Sequence, residues 1–279
     1  MLQEERLFRA VVDALTEDRL TLPTLPEVAM RVSQATQDDN VTASRLAAEI
    51  GRDPAIAVRL LRVANSSALC GGRRIDNLQQ AVTRLGMGLV RSLVTGLALE
   101  QLFFSRSPML KQRLRSTWTQ SLEVAALAQV LASHCTMLRP ELAMLAGLTH
   151  EIGSLPIIRV IENLGEPVDD AAVLDRCLRS LQPRVGRLVL QAWDFHEDLV
   201  EVPSRWVDFG REHDGPPDYV DVVTVAALQS QPHRQGRLAG IDRSRVPAFA
   251  RLDINPEVDV FELEGVQQEF QDQYAALSA

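Results

Sequence analysis

Two short runs set an imidazole beside a carboxylate. His150-Glu151 lies in Gly147-Leu148-Thr149-His150-Glu151-Ile152-Gly153, and His213-Asp214 stands directly before Gly215-Pro216-Pro217. Imidazole nitrogen and carboxylate oxygen are donors that hold divalent ions, and a bound ion turns water into a hydrolytic nucleophile. Two donors are too few to hold an ion against water. The simpler reading of His150 is a helix-terminal imidazole near the C-terminal dipole, with Gly153 ending the turn. His213-Asp214 reads as a helix end and turn, and His196, in Trp193-Asp194-Phe195-His196, as a loop residue. His134 and His233 have no acidic or cysteine neighbours at ligand spacing. Lys111 is the only lysine, and no glycine-rich loop precedes it. There is no nucleophile elbow, and Ser66-Ser67 has no base that the sequence places. Cys70, Cys135 and Cys177 lie far apart without CxxC spacing, so neither a disulfide framework nor a zinc knot is expected; they read as buried thiols in a reducing cytoplasm.

Helices must position these residues. Apolar residues recur with period 3.6, alternating strands are scarce and helix-start signals recur, so the expected fold class is all-α. Pro26 stands at a first helical position, and Thr42 caps the run Ala43 to Ile50. Asp53-Pro54 is a cap followed by proline at N1, where the missing N–H is harmless. The helix it opens should set Ala57, Leu60, Leu61 and Ala64 on one face, leave Arg59 and Arg62 off it, and end near Asn65-Ser66-Ser67. A loop with Gly71-Gly72 leads to Asp76-Asn77, a short helix through Leu85, a Gly86 break, and an apolar helix with Leu89, Val90, Leu93, Val94 and Leu97. That helix reads as central and buried. Beyond Pro108 the expected helices are Trp118 to Ser133, Pro140 to Thr149, Pro156 to Asn163, Ala171 to Leu178, Pro183 to Trp193 and one towards Glu212. Past the breaker Gly215-Pro216-Pro217 comes Tyr219 to Gln229, then the polar stretch Gln231 to Ser244. A tail helix opening at Asn255-Pro256 carries Leu263, Val266, Phe270, Tyr274 and Leu277 opposite Glu264, Glu269 and Asp272. Its stripe docks on its own domain or forms a dimer face.

With 279 residues, 46% of them hydrophobic, the chain can bury a sizeable core in one large or two smaller domains. A net charge of −8 and a pI near 5.2 disfavour a general nucleic-acid or anionic-membrane binder, because phosphate neutralisation needs a basic surface. The first ten residues carry Glu4, Glu5, Arg6 and Arg9, unlike a signal peptide. Leu85 to Phe104 is read as the most apolar segment, and Arg91 and Glu100 interrupt it as a membrane span. A soluble, cytoplasmic protein is expected.

The N-terminal half reads Leu22-Pro23-Thr24-Leu25-Pro26-Glu27-Val28, then Asp53-Pro54 opening a helix that closes with Leu60-Leu61-Arg62-Val63-Ala64-Asn65-Ser66. Arg74-Ile75-Asp76-Asn77-Leu78, Ala81-Val82 and Leu85-Gly86 follow. This ordered set resembles the HDOD family, bacterial signalling domains related to the HD phosphohydrolases, over about residues 20 to 215. The resemblance implies an HD-like helical bundle with an N-terminal helical lobe (20–107), a degenerate HD-like lobe (108–215), an N-terminal helix (1–19) and a C-terminal helical extension (216–279) packing on the HD-like lobe. It also implies a non-catalytic role in bacterial signalling, exerted through protein partners or an anionic small ligand, with no resident cofactor.

A related hydrolase would hold its ion with a His on one helix, a His-Asp pair on another and a later Asp. By the resemblance, the first position is Gln120, the pair is His150-Glu151, and the last position, in Val225-Ala226-Ala227-Leu228, is Ala227. One His and one longer carboxylate remain, so metal-dependent phosphohydrolysis of nucleotides or cyclic dinucleotides is the lesser alternative. A third reading is helix-turn-helix-like DNA binding, because Leu46 to Gly51 followed by Asp53-Pro54 and Ala57 to Leu60 fits small residue, turn glycine and second apolar helix. Arg52, Arg59, Arg62, Arg73 and Arg74 against Asp53 make that stretch locally +4 (five minus one), on a chain of −8. The favoured expectation is that Arg59, Arg62, Arg73 and Arg74, with a cleft near Gln120, His150 and Glu151, bind an acidic partner surface or anionic ligand. The other reading of these arginines is a solvated helix face.

Overall fold

A computed structural model describes residues 2–17, 19–38, 40–67, 69, 72–165, 170–230, 238–262 and 265–278. Cys70, Gly71, His233, Leu263 and Glu264, named above, lie outside the described residues. Helices make up the fold, and no strand occurs among the described residues.

The N-terminal lobe is built from α2 (Glu27–Ala35), α3 (Ala43–Gly51), α4 (Pro54–Ala64), α5 (Leu78–Leu85) and α6 (Met87–Leu99). Local capping starts three of them. Thr42 accepts from the Arg45 N–H, Asp53 accepts from the N–H groups of Ala55 and Ile56 at 3.1 Å, and Asn77 accepts from Gln80. Pro26 is the residue before α2, one position earlier than expected. The buried face of α4 is Ile56, Leu60, Val63 and Ala64, with Ala57 and Leu61 half-buried at its edge, so the apolar stripe is rotated from the expected one. Gly86, at φ +82°, lets the chain turn from α5 into α6, which is buried through Val90, Leu93, Val94 and Leu97 and packs on α2 and α4.

The second lobe is organised by α7 (Pro108–Cys135), a 28-residue helix that begins ten residues before the expected Trp118. It forms a hairpin with α8 (Pro140–Thr149) at such close range that a Cβ on Gly147 would lie 2.5 Å from the Ala125 Cα. α8 also packs on α6 and so joins the lobes. α9 (Ser154–Asn163) follows, and α10 (Ala171–Ala192) runs unbroken where two helices were expected. Pro183 sits inside α10; burial of Leu178, Leu181 and Val185 on either side keeps the helix continuous despite the lost N–H. The helix expected towards Glu212 is instead two single turns, α11 (Glu197–Val200) and α12 (Val202–Arg205), after which residues 211–218 have no helix. α13 (Tyr219–Gln229) is buried along its whole length.

α1 (Leu2–Thr16) lays Leu7, Val11 and Ala14 against α9 and α10, and Arg176 on α10 clasps Glu4 through two hydrogen bonds of 2.8 and 2.9 Å. Beyond α13 come α14 (Pro247–Arg251) and a tail helix, α15 (Val266–Leu277). The tail helix does not open at Asn255-Pro256, whose residues form turns; it begins after Gly265. It buries Val266, Phe270, Ala276 and Leu277, mainly against α7 and also against α4 and α6, so it spans both lobes. Ser67 donates to Asp272 at 2.8 Å, and His134 Nε2 lies 2.9 Å from Glu269.

Among the described residues one helical span, Pro140–Asn163, is long and apolar enough by length and composition to cross a membrane; Leu85 to Phe104, expected to be the most apolar segment and to fall short of a span, is not such a helix. Its apolarity has a packing explanation: 89% of the apolar window is buried inside the fold.

Candidate functional site

His150 caps α8 at its C-terminal end, as its position before Gly153 implied. The imidazole is fully buried, and Nδ1 donates to the Gly147 carbonyl at 2.7 Å. The ring of Trp206 meets it edge-on, with centroids 4.9 Å apart and planes at 74°. Glu151 is 1% exposed. Backbones close round the pair on two sides: α7 touches α8 at Gly147, and a Cβ on Gly153 would lie 2.2 Å from the Gln182 carbonyl oxygen of α10. Gln120 is half-buried on α7, and Ala227 is fully buried in α13, where a methyl group can offer no ligand. The donor set does not fit a divalent ion. Burial also removes His150 and Glu151 from the expected partner-binding set, because neither presents an atom to a passing surface.

The second pair came together differently from its sequence neighbours. His213 meets Asp214 only at its backbone carbonyl, 3.3 Å from Nδ1; its Nε2 donates to Asp221 Oδ2 at 2.9 Å and lies 3.8 Å from Asp218. The two aspartates close a capping box at the start of α13, each side chain accepting the other's backbone N–H. Ligand atoms of His213, Asp218 and Asp221 all lie within 4.8 Å of one another. Arg211 already fills the charge role of an ion there. It bonds Asp218 through both terminal nitrogens and Asp221 at 3.1 Å. Burial opposes ionisation of Asp218, yet the Arg211 guanidinium and the Asp221 N–H outweigh it and hold its carboxyl below the ordinary 3.8. Arg251 from α14 donates to the carbonyls of His213 and Gly215, fixing the loop. Arg211, Asp218 and Asp221 were not singled out from the sequence; the Asp-x-x-Asp spacing ahead of an apolar helix was the available signal.

The family-like motifs have structural work. Asn65, which ends α4, donates to the carbonyls of Leu61 and Ile75 and accepts from the Ile75 N–H, each at 2.8 Å. It thereby pins the loop bearing Arg73 and Arg74 to α4. Trp193 Nε1 donates to the Pro23 carbonyl at 2.7 Å, tying the extended Leu22–Pro26 segment to α10. A cleft of about 380 Å³ lies between the lobes, lined by that segment, Leu102, Phe104, Leu155 and Arg159. Gln120, His150 and Glu151 do not line it.

The four arginines divide. Arg59 is an ion-pair partner of Glu100 and also reaches the Leu97 carbonyl, locking α4 to the end of α6. Its expected role on a binding face is corrected by that pairing. Arg62, Arg73 and Arg74 are exposed, Arg74 standing 3.9 Å from Asp76. For duplex phosphates the outward face of α4 offers Ala55, Val58 (60% exposed) and Arg62, a single outward guanidinium. The two described thiols are kept protonated: burial, then Glu4, pushes Cys177 to about 11, and burial, then Asp253, raises Cys135.

Comparison with known proteins follows the same lines. The HDOD domain matches residues 22–205. A Shewanella amazonensis protein provisionally named a metal-dependent phosphohydrolase shares the fold at a TM-score of 0.87 with 31% identity, over 99% of this chain and all of that one. An HDOD domain protein of unknown function from Geobacter sulfurreducens aligns at 0.71 with 20% identity, over 97% of both chains. A Marinobacter aquaeolei protein provisionally named for signal transduction aligns at 0.63 with 21% identity, over 95% of this chain and 61% of that one. An uncharacterized Treponema pallidum protein is 20% identical over 223 residues, 73% of this chain and 42% of that protein, so the chain spans under half that relative's length. With the motifs, the helical lobes and the family match in agreement, this chain belongs to the HDOD domain family.

Proposed function

We propose that this chain is a non-catalytic regulatory protein of signal transduction that works by binding an acidic protein surface or an anionic ligand. The observation that carries the reading is the closed His150-Glu151 centre, where Trp206 packs on the imidazole; by the family resemblance, the residues that would complete a ligand set are Gln120 and Ala227. The binding face is Arg62 with Arg73 and Arg74, which Asn65 holds beside α4. Exposed guanidiniums pair with carboxylates or phosphates in a fork geometry that steers encounter. Recovery of bound proteins from a lysate of the native cells, with wild type against Arg62→Glu/Arg73→Glu, tests it. Loss of specific partners is expected, and identical recovery sinks the assignment of the face.

A metal-dependent phosphohydrolase is the second reading, favoured by the name of the Shewanella amazonensis neighbour, which this chain matches over its full length. Its test is metal content plus turnover of cyclic dinucleotides and nucleotides with added Mn²⁺ or Mg²⁺. Stoichiometric metal together with turnover lost in His150→Ala would replace the non-catalytic reading.

A further inference from the structure

Beside Trp206 the surface opens into a pocket of about 340 Å³. That volume lies within the range of small-ligand sites, about 300–1,000 Å³. One wall is a stretch of α10, where Arg179, Gln182 and Pro183 fall within a single turn. The indole of Trp206 and the ring of Phe209 make the opposite wall, and Leu238 and Ile241 close the end. Such a pocket favours a flat apolar body over a hydrated one.

Its polar groups are few and of distinct kinds. Gln182 is 4% exposed, and its Oε1 is buried with no hydrogen-bond partner in the structure. A buried acceptor left without a donor is destabilising by about 1–3 kcal/mol, so the site is matched to a ligand N–H or O–H. At the mouth stands Arg179, exposed and without an ion pair among the described residues. The arrangement is an acceptor at the base, aromatic and aliphatic walls, and a cation at the rim.

We infer that this pocket binds a small aromatic acid: a planar ring whose N–H or O–H donates to Gln182 and whose anionic group meets Arg179. The site is separate from the arginine face of α4. Its inner wall, Trp206, is the ring that packs on His150, so an occupant would press on the covering of the family's old centre.

Indole-3-acetate carries a ring N–H and a carboxylate in one small planar frame and serves as the probe. Isothermal titration of the full chain should give saturable one-to-one binding, displaced by 8-anilinonaphthalene-1-sulfonate. Arg179→Gln, at an exposed position that leaves the fold intact, should weaken indole-3-acetate about tenfold, the scale of a hydrogen bond to a charged group. It should leave neutral 3-methylindole unchanged. Gln182→Leu, with its fold verified by near-UV circular dichroism, should weaken both ligands. Absence of saturable binding, or equal affinity in wild type and Arg179→Gln, overturns the proposal.

Discussion

Two of the molecule's imidazole–carboxylate groups are built in opposite ways. At His150 and Glu151 the surroundings are tight backbone contacts and an indole. At His213 the surroundings are charges: two aspartates are within reach, and Arg211 bonds both of them. The first is enclosed by backbone and an indole, and the second gathers ligand-type atoms around a cation supplied by the chain itself. Proximity of His and Asp therefore does not define a metal centre; what matters is whether the carboxylate charge is already compensated.

Replacing the indole is the largest break. Trp206→Ala should destabilise the fold by about 3–5 kcal/mol, read by urea denaturation, because a fully buried ring leaves a cavity. The same variant should remain inactive on phosphodiesters with Mn²⁺; turnover there would mean that enclosure alone, not ligand loss, silences the centre. Removing the hub of the charged group, Asp221→Ala, should cost about 3 kcal/mol, since Asp221 is 2% exposed and compensates Arg211 while accepting from His213. Equal stability to wild type would show the cluster to be ornamental to the fold. Gly153→Ala should cost about 1–3 kcal/mol by overpacking against the Gln182 carbonyl, measured the same way.

The charged group should also be acid-sensitive. Asp218 titrates below 3.8 in the folded state, so its contribution is present above that value and is lost as pH falls through the lowered one. Stability measured from pH 5 downward should fall less steeply below about pH 4 in Asp218→Asn than in wild type. The smallest effect belongs to the half-exposed pair outside both groups: Arg59→Ala should cost about 0.2–1 kcal/mol, diminishing with added salt.

Much of the N-terminal lobe was legible because its signals are local. Thr42, Asp53-Pro54, Asn77 and Gly86 each satisfy or terminate a helix within a few residues, and each does so in the structure. Breakers misled where burial opposed them: Pro183 was read as a helix start, yet apolar packing on both sides carries α10 through it. The stretch towards Glu212 was read as helix because composition does not reveal a run of turns held by Arg211 and Arg251.

From the amino-acid order alone came the all-helical class and the family, which rest on residue identity and short-range spacing. Tertiary structure alone decided that Trp206 covers His150, that His213 pairs with the carboxylate of Asp221 and not that of Asp214, that Arg59 belongs to Glu100, and that Gln182 and Arg179 share a pocket. Those are contacts between groups that no helical period relates, set by how whole helices pack and not by what stands beside them in the chain.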